Sequence, residues 1–527
     1  MSEAEGAQPS KKSYAAAAAS GSAWTTAQTV VNKAITVIAM LLLARLLSPG
    51  EFGLANLAAS IGAFAFVFAP FVMGDVLLAE QKRFDELVGT ANAVAWSSAI
   101  LLFALLSAAA LPIQWFTGKE GLALLLVIAA LRPVADAVLV IANTRMRIDL
   151  AYRRIAQIDG GVIFLATVAS VVMAYFGAGP MAITLPPIAT IAVRGVLYWR
   201  STRGRIPTKI NREFVRPIAR RFAVAGLGQY LNNMLLSLEL LLLGLMASDA
   251  EVGVFGLAFQ LAMQANTVIA VQLGAVLQPI FAHIQNDPER QVGGFLRATR
   301  LLSSIAVPLS LMQAALAIPA FQLLFQAKWT GSIAVFAVLS IGQTFVFVSA
   351  PSIALLKAQG RFRAYFAWQL SQLIAAVAVF YAAVRFGGDT ALHVAEAIGM
   401  PTDPTAGKAL ALSFASASVW AISCPVAVWL AGRPARLSVA RALGVFFEPW
   451  VVAVPVGAAL VGSWLLLRGV ATPWMANALA IGLLGPIAVI VSIAGCVWMR
   501  ADTRADFQSI IARFTRRKQA NAMVNKP

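Results

Sequence analysis

Long apolar runs, separated by short polar loops, recur along this chain from near its start to near its end. Within the runs there is no strict alternation of apolar and polar positions, so a helical rather than a strand period is predicted. About 20 apolar residues make a helix that crosses a hydrocarbon layer of about 30 Å. Such a helix satisfies its own backbone polar groups, which lipid cannot do. The pattern predicts about fourteen spans, near 23–46, 53–74, 90–111, 121–142, 158–178, 180–199, 222–247, 253–281, 299–325, 332–356, 365–384, 409–430, 450–468 and 476–499. The chain is read as an all-α polytopic membrane protein.

Composition narrows the reading. Of 527 residues, 60% are hydrophobic and 12% charged, with a mean hydropathy of +0.78. That charged share is about half the ~25% of soluble domains, and the spans leave no room for a separate soluble domain. A net charge of +18 on its own suits nucleic acid, but its placement excludes that partner. With the N-terminus inside, the inner loops hold Lys82 and Arg83, Arg145 to Arg154, and the basic segment from Arg200 to Arg221. Further inner groups are Arg290 to Arg300, Lys357 to Arg363, Arg433 to Arg441, and the tail from Arg500 onward. The outer loops hold only Lys119, Lys328, Arg385, Lys408 and Arg468. This asymmetry predicts both termini in the cytoplasm, with membrane-lipid headgroups in contact with the inner loops. The apolar stretch after Lys11 and Lys12 is too long for a cleaved signal peptide, so the first span is expected to be retained. Cys424 and Cys496 lie inside apolar runs, and His283 and His393 are far apart. Neither a metal site nor a cofactor is expected.

A short internal match suggests duplication. LLSPGEFGLANLA at 46–58 follows the first span, and LMASDAEVGVFGLAFQLA at 245–262 follows the seventh. Each places an acidic turn at an outer face before a helix, and Phe52-Gly53-Leu54 is set against Phe255-Gly256-Leu257. Such a match also arises by chance, but its separation by an even number of spans favours parallel repeats about an axis along the membrane normal. The expected layout is a cytoplasmic tail at 1–20, a six-helix bundle at 21–200, a basic linker at 201–221 and a second six-helix bundle at 222–431. Two additional transmembrane helices at 432–500 and a basic cytoplasmic tail at 501–527 complete it.

Ionisable groups at membrane depth cost about 2.5–3.5 kcal/mol on insertion scales and usually face a cavity. Lys33 lies too deep in the first span to snorkel, whereas Arg45, also a cavity candidate, and Arg194, which is not one, lie near span ends, where snorkelling is expected. Arg132 and Asp136 are spaced i and i+4 in the fourth span, hence on one face, and Glu239 is deep in the seventh. Amides accompany them: Gln28 and Asn32 in the first span, Gln229, Asn232 and Asn233 in the seventh, Gln260 and Gln264 in the eighth. These residues are candidates for lining a hydrated, partly cationic interior. Amides also serve as helix–helix glue, and Arg132 with Asp136 also suits a purely structural ion pair. Asp136 and Glu239 are candidates for carrying a coupling ion, or for permanent pairing with Lys33 or Arg132.

The sequence holds no G-x-x-x-x-G-K-[ST] phosphate loop and no D-x-D for a metal-bound sugar nucleotide. No catalytic residue is assigned, and transport is expected to run on an ion or substrate gradient. Gly21-Ser22-Ala23-Trp24, leading to LARLLSPGEFGLANLA at 43–58, closely resembles bacterial polysaccharide transporters. These are the O-antigen and exopolysaccharide flippases of the multidrug/oligosaccharidyl-lipid/polysaccharide exporter superfamily. The resemblance implies two six-helix bundles around a cavity, often with two further helices. It also implies translocation of undecaprenyl-diphosphate-linked oligosaccharide repeat units across the inner membrane by alternating access, for exopolysaccharide or O-antigen synthesis. A polysaccharide polymerase and a chain-length regulator are candidate partners. Competing functions are a cation-coupled drug or metabolite antiporter or a lipid II flippase of the same superfamily. A membrane glycan polymerase or glycosyltransferase is a further alternative from a different class.

Overall fold

The computed structural model describes residues 31–66, 69–202, 209–264, 281, 287–499 and 504, excluding the side chains at 224, 228, 229, 232, 288 and 362. The described elements are helical. The chain packs into two compact units, Met1–Leu245 and Met246–Pro527. The division falls near the end of the seventh expected span.

The first unit contains α1 (31–46), α2 (Pro49–Ala65), α3 (Val72–Ala79), α4 (Phe84–Thr117), α5 (Leu122–Ile148), α6 (Tyr152–Tyr175), α7 (Met181–Ser201) and α8 (Arg212–Met246). α5 is its centre, packed on α4 and α7, with α2 and α3 also resting on it. A cluster including Met73, Leu77, Val88, Ile141, Tyr198 and Phe222 forms the core at the arginine-rich end. α7 comes unusually close to α5. A Cβ on Gly195 would stand 2.9 Å from the Val138 carbonyl carbon, and Trp199 donates its indole N–H to the Val138 carbonyl at 2.8 Å.

The second unit begins with α9 (249–264). α10 (Pro288–Ala315), α11 (Ala317–Leu324), α12 (Ser332–Ala358), α13 (Phe362–Phe386), α14 (Gly388–Ala397) and α15 (Gly407–Gly432) follow. α12 packs against α10 and α15. A Cβ on Gly342 would meet the Ala417 Cα at 2.8 Å, so that glycine sets the spacing of α12 and α15. α16 (Val439–Phe447), α17 (Trp450–Val470), α18 (Pro473–Leu479) and α19 (Gly485–Trp498) end the unit. A π-turn at Ala480–Leu484 joins α18 to α19, and both α17 and α19 lie on α10.

Two helix starts share one device. Ser48 and Glu51 form a capping box on α2: the Glu51 N–H donates to Ser48 Oγ at 3.3 Å, and Glu51 Oε2 accepts from the Ser48 N–H at 2.7 Å. Ser248 and Glu251 repeat it on α9 at 3.3 and 3.2 Å. Each box satisfies N–H groups that a helix start leaves orphaned. In the register of the boxes, Phe52-Gly53-Leu54 corresponds to Val252-Gly253-Val254, so the sequence match at Phe255-Gly256-Leu257 is displaced by one helical turn.

Ten of the described helices are long and apolar enough to cross a membrane. The other four expected spans, 23–46, 53–74, 222–247 and 253–281, are not among them. The first and last of these run into residues outside those described. The span expected at 53–74 is interrupted: α2 ends at Ala65 and α3 starts at Val72. The span expected at 222–247 falls on α8, a 35-residue helix whose first turns carry arginine. That helix extends back to Arg212 and takes up part of the segment expected to be a linker.

Candidate functional site: a polar cavity in the first unit

A cavity of about 330 Å³ lies within the first unit. Its walls come from α2, α5, α7 and α8, with Phe66 and Phe71 at the break. Non-helical backbone at membrane depth is tolerated where protein or water covers its polar groups. Here the Tyr230 hydroxyl donates to the Phe64 carbonyl at 2.9 Å, covering a carbonyl of the last turn of α2. Small residues make the volume: Ala55, Ala59, Gly62, Ala63 and Ala129 leave the space that larger side chains would fill.

Six polar side chains line the cavity: Asn56, Arg132, Asp136, Thr184, Asn233 and Ser237. Arg132 and Asp136 sit on one face of α5, as their spacing predicts, with Arg132 Nε 4.0 Å from Asp136 Oδ2. The Arg132 side chain is 59% exposed and that of Asp136 10%. Arg194, on α7, adds a second positive field at Asp136. The site therefore carries a loosely held guanidinium beside a buried carboxylate, ringed by neutral hydrogen-bonding groups. Such a lining can exchange the partner of Arg132 for an anionic ligand while amides and hydroxyls meet neutral polar atoms.

Of the candidates chosen from sequence, Arg132, Asp136 and Asn233 are brought together here. Asn32 and Lys33 are half-buried on α1 and Arg45 is exposed near its end; among the described residues none of the three lines this cavity. Glu239 is buried on α8, just past the lining residue Ser237, and is not itself among the lining residues. Gln260 and Gln264 are half-buried on α9, in the second unit. Gln28 and the side chains of Gln229 and Asn232 lie outside the described residues. Asn56, Thr184 and Ser237 are additions that sequence did not single out.

Beside the cavity, Arg194 on α7 meets a carboxylate of α6. Its Nη1 lies 3.4 Å from Asp159 Oδ1 on α6, and the same oxygen accepts the Tyr198 hydroxyl at 2.6 Å. Tyr198 is 1% exposed, so this triad ties α6 to α7 from within.

Residues 42–334 match the family described as polysaccharide biosynthesis protein. The chain belongs to that family. It is 24% identical over 356 residues to the succinoglycan biosynthesis transport protein ExoT of Rhizobium meliloti (strain 1021), covering 65% of this chain and 70% of the relative. Identity to the teichuronic acid biosynthesis protein TuaB of Bacillus subtilis (strain 168) is 21%, over 70% of this chain and 77% of the relative. The lipopolysaccharide biosynthesis protein WzxC of Escherichia coli (strain K12) is 24% identical over 72% of this chain and 77% of its own length. The fold resembles the lipid II flippase MurJ in an inward closed conformation, with a TM-score of 0.62 at 11% identity over 90% of this chain and 99% of that one. A multidrug resistance MATE family transporter of the MOP superfamily, in an inward-facing conformation, gives a TM-score of 0.55 at 15% identity, over 78% and 95%. The expected resemblance to polysaccharide transporters is thereby borne out, and this is a multi-pass membrane protein of polysaccharide biosynthesis transport.

Proposed function

We propose that this protein flips an undecaprenyl-diphosphate-linked oligosaccharide across the inner membrane by alternating access. Both termini stand in the cytoplasm, and the polar cavity of the first unit holds part of the anionic head. The observation that carries the proposal is Arg132, 59% exposed and 4.0 Å from its carboxylate, lining a cavity from a helix long and apolar enough to cross a membrane. An uncompensated diphosphate in hydrocarbon is prohibitively costly, and a guanidinium is the side chain suited to phosphate oxygens. At about 330 Å³ the cavity is near the lower end of the ~300–1,000 Å³ usual for small-molecule sites. It suits the diphosphate and its nearest sugar rather than a whole repeat unit. Asn56, Asn233, Thr184 and Ser237 supply donors and acceptors for sugar hydroxyls.

Asp136 gives the site a way to let go. Its carboxylate and a diphosphate compete for Arg132, so a coupling cation that neutralises Asp136 frees the guanidinium for the head, and its departure takes it back. Glu239, buried on the same helix as Asn233, is a second coupling candidate. No bond in the substrate is made or broken in this scheme.

Deletion tests the reading in cells. Lipid-linked repeat units should accumulate in the inner leaflet, while their synthesis continues. A change in drug sensitivity with no such accumulation would instead favour an antiporter, and arrested cell-wall synthesis a lipid II flippase. Elongation of glycans by the purified protein in detergent would point to a polymerase.

A further inference from the structure

The arginine-rich end of α8 forms a second feature, separate from the cavity. At 1.5 Å per residue, its 35 residues span about 52 Å, well beyond a hydrocarbon thickness of about 30 Å. The first turns therefore overhang at headgroup level. One face of this overhang is anchored: Ile218 and Phe222 are buried in the core of the first unit, and Phe214 packs against it. Arg83 stacks over the Phe214 ring at 5.1 Å. The Thr90 hydroxyl donates to the Asn211 carbonyl at 3.2 Å and accepts from its N–H at 2.9 Å. Arg221 is paired with Glu80.

The opposite face is a stripe of Arg212, Arg216 and Arg220, all exposed. At 100° per residue, each lies about 160° around the helix from the anchoring residue two positions on. Arg216, Pro217, Arg220, Arg221 and Ala225 line an open groove of about 790 Å³. Like charges at i and i+4 oppose helix formation, so three arginines in one stripe at a fixed place call for an anionic occupant. Arg216 and Arg220 stand about 6 Å apart at their Cβ atoms, and each fork grips a phosphate in two places. Two adjacent forks suit two linked phosphates better than one.

We propose that this groove is a landing site for the diphosphate of the lipid-linked glycan in the cytoplasmic leaflet, occupied before the head reaches the cavity. The inference rests on the flippase reading and on its orientation. The ligand chemistry is a lipid phosphate at the membrane surface, and two sources supply it: the lipid-linked diphosphate and the monophosphate headgroups of anionic phospholipids.

The test uses the full chain in phosphatidylcholine nanodiscs, with undecaprenyl diphosphate as probe and phosphatidylglycerol as competitor. R216Q/R220Q should weaken binding about a hundredfold, roughly tenfold per lost guanidinium, or down to the level that the cavity alone supports. Its thermal stability should equal that of the wild type, because both side chains are exposed. Phosphatidylglycerol equimolar with the probe should leave most of the probe bound. Unchanged binding in the double variant overturns the proposal, as does full displacement by phosphatidylglycerol, which would make the stripe a general lipid contact. R132Q separates the two sites: it should retain binding at the groove while slowing transport. Failure of the flippase reading shows differently, as wild-type protein that binds the probe but moves no glycolipid.

Discussion

Replacing Arg132 with glutamine removes one positive charge from the cavity while keeping a long, hydrogen-bonding side chain. Two unit charges 4 Å apart interact by about 1 kcal/mol in water and about 4 kcal/mol at an effective dielectric of ~20. Arg132 lines a cavity with amide and hydroxyl groups around it, so the weaker end is taken, about 1–2 kcal/mol for contact with one phosphate charge. At about 1.4 kcal/mol per tenfold, R132Q should weaken binding of an anionic glycolipid head in the cavity by about 5- to 30-fold. The opposite substitution supplies the sign. Asp136 competes for the same guanidinium at 4.0 Å, so Asp136→Asn should tighten binding, by about two- to tenfold. The assay is equilibrium binding to full-length protein in nanodiscs, of undecaprenyl diphosphate carrying one sugar, at fixed ionic strength. R216Q/R220Q serves as background, so that the cavity is read alone. A neutral-headed isoprenoid glycolipid should respond to neither change. If both substitutions shift affinity in the same direction, or if the neutral lipid follows the charged one, the cavity does not read charge and the reasoning fails.

Further outcomes follow from the packing around the cavity. Tyr198→Phe keeps the buried ring but removes the 2.6 Å bond to Asp159. It should cost about 1.5–3 kcal/mol of stability, and combining it with Asp159→Asn should cost less than the two changes added. Thermal unfolding in detergent measures both, and strict additivity would refute the coupling. Gly195→Ala drives a Cβ to 2.9 Å from a backbone atom of α5, and overpacking of this kind costs about 1–3 kcal/mol. A variant that unfolds at the wild-type temperature would show that α7 does not sit as described. Ser48→Ala and Ser248→Ala should each lose about 0.5–2 kcal/mol of helix capping. Unequal losses, with one near zero, would mean the two capping boxes do different jobs.

Much of the fold was legible because crossing lipid imposes a length and a composition. Ten helices follow those rules closely enough to be found from hydropathy alone. The break between α2 and α3 was not legible in that way. Pro70 marks it, but the chain is apolar on both sides, and a carbonyl freed at Phe64 is covered by a hydroxyl from Tyr230, far away in sequence. The pair Arg132 and Asp136 was visible because two opposite charges one turn apart in an apolar run are costly. Asn56, Thr184 and Ser237 were not, since small polar residues in membrane helices usually serve helix packing. Asp159 escaped for another reason: it sits near a helix start beside an arginine-rich loop, where a carboxylate draws no notice. Its partner Tyr198 lies on a different helix. The pairing of Arg194 with Asp159 is not legible either, because position along a span does not tell which way a guanidinium turns.

The most direct measurement is leaflet exchange in proteoliposomes. Purified full-length protein would be reconstituted with fluorescent undecaprenyl-diphosphate oligosaccharide, and the share reached by an external glycan-modifying enzyme followed with time. The account predicts that wild-type protein exposes lipid initially held in the inner leaflet, and that R132Q slows this exposure at equal protein content and orientation. Exposure at the protein-free rate, or wild-type exchange undiminished in R132Q, would contradict it.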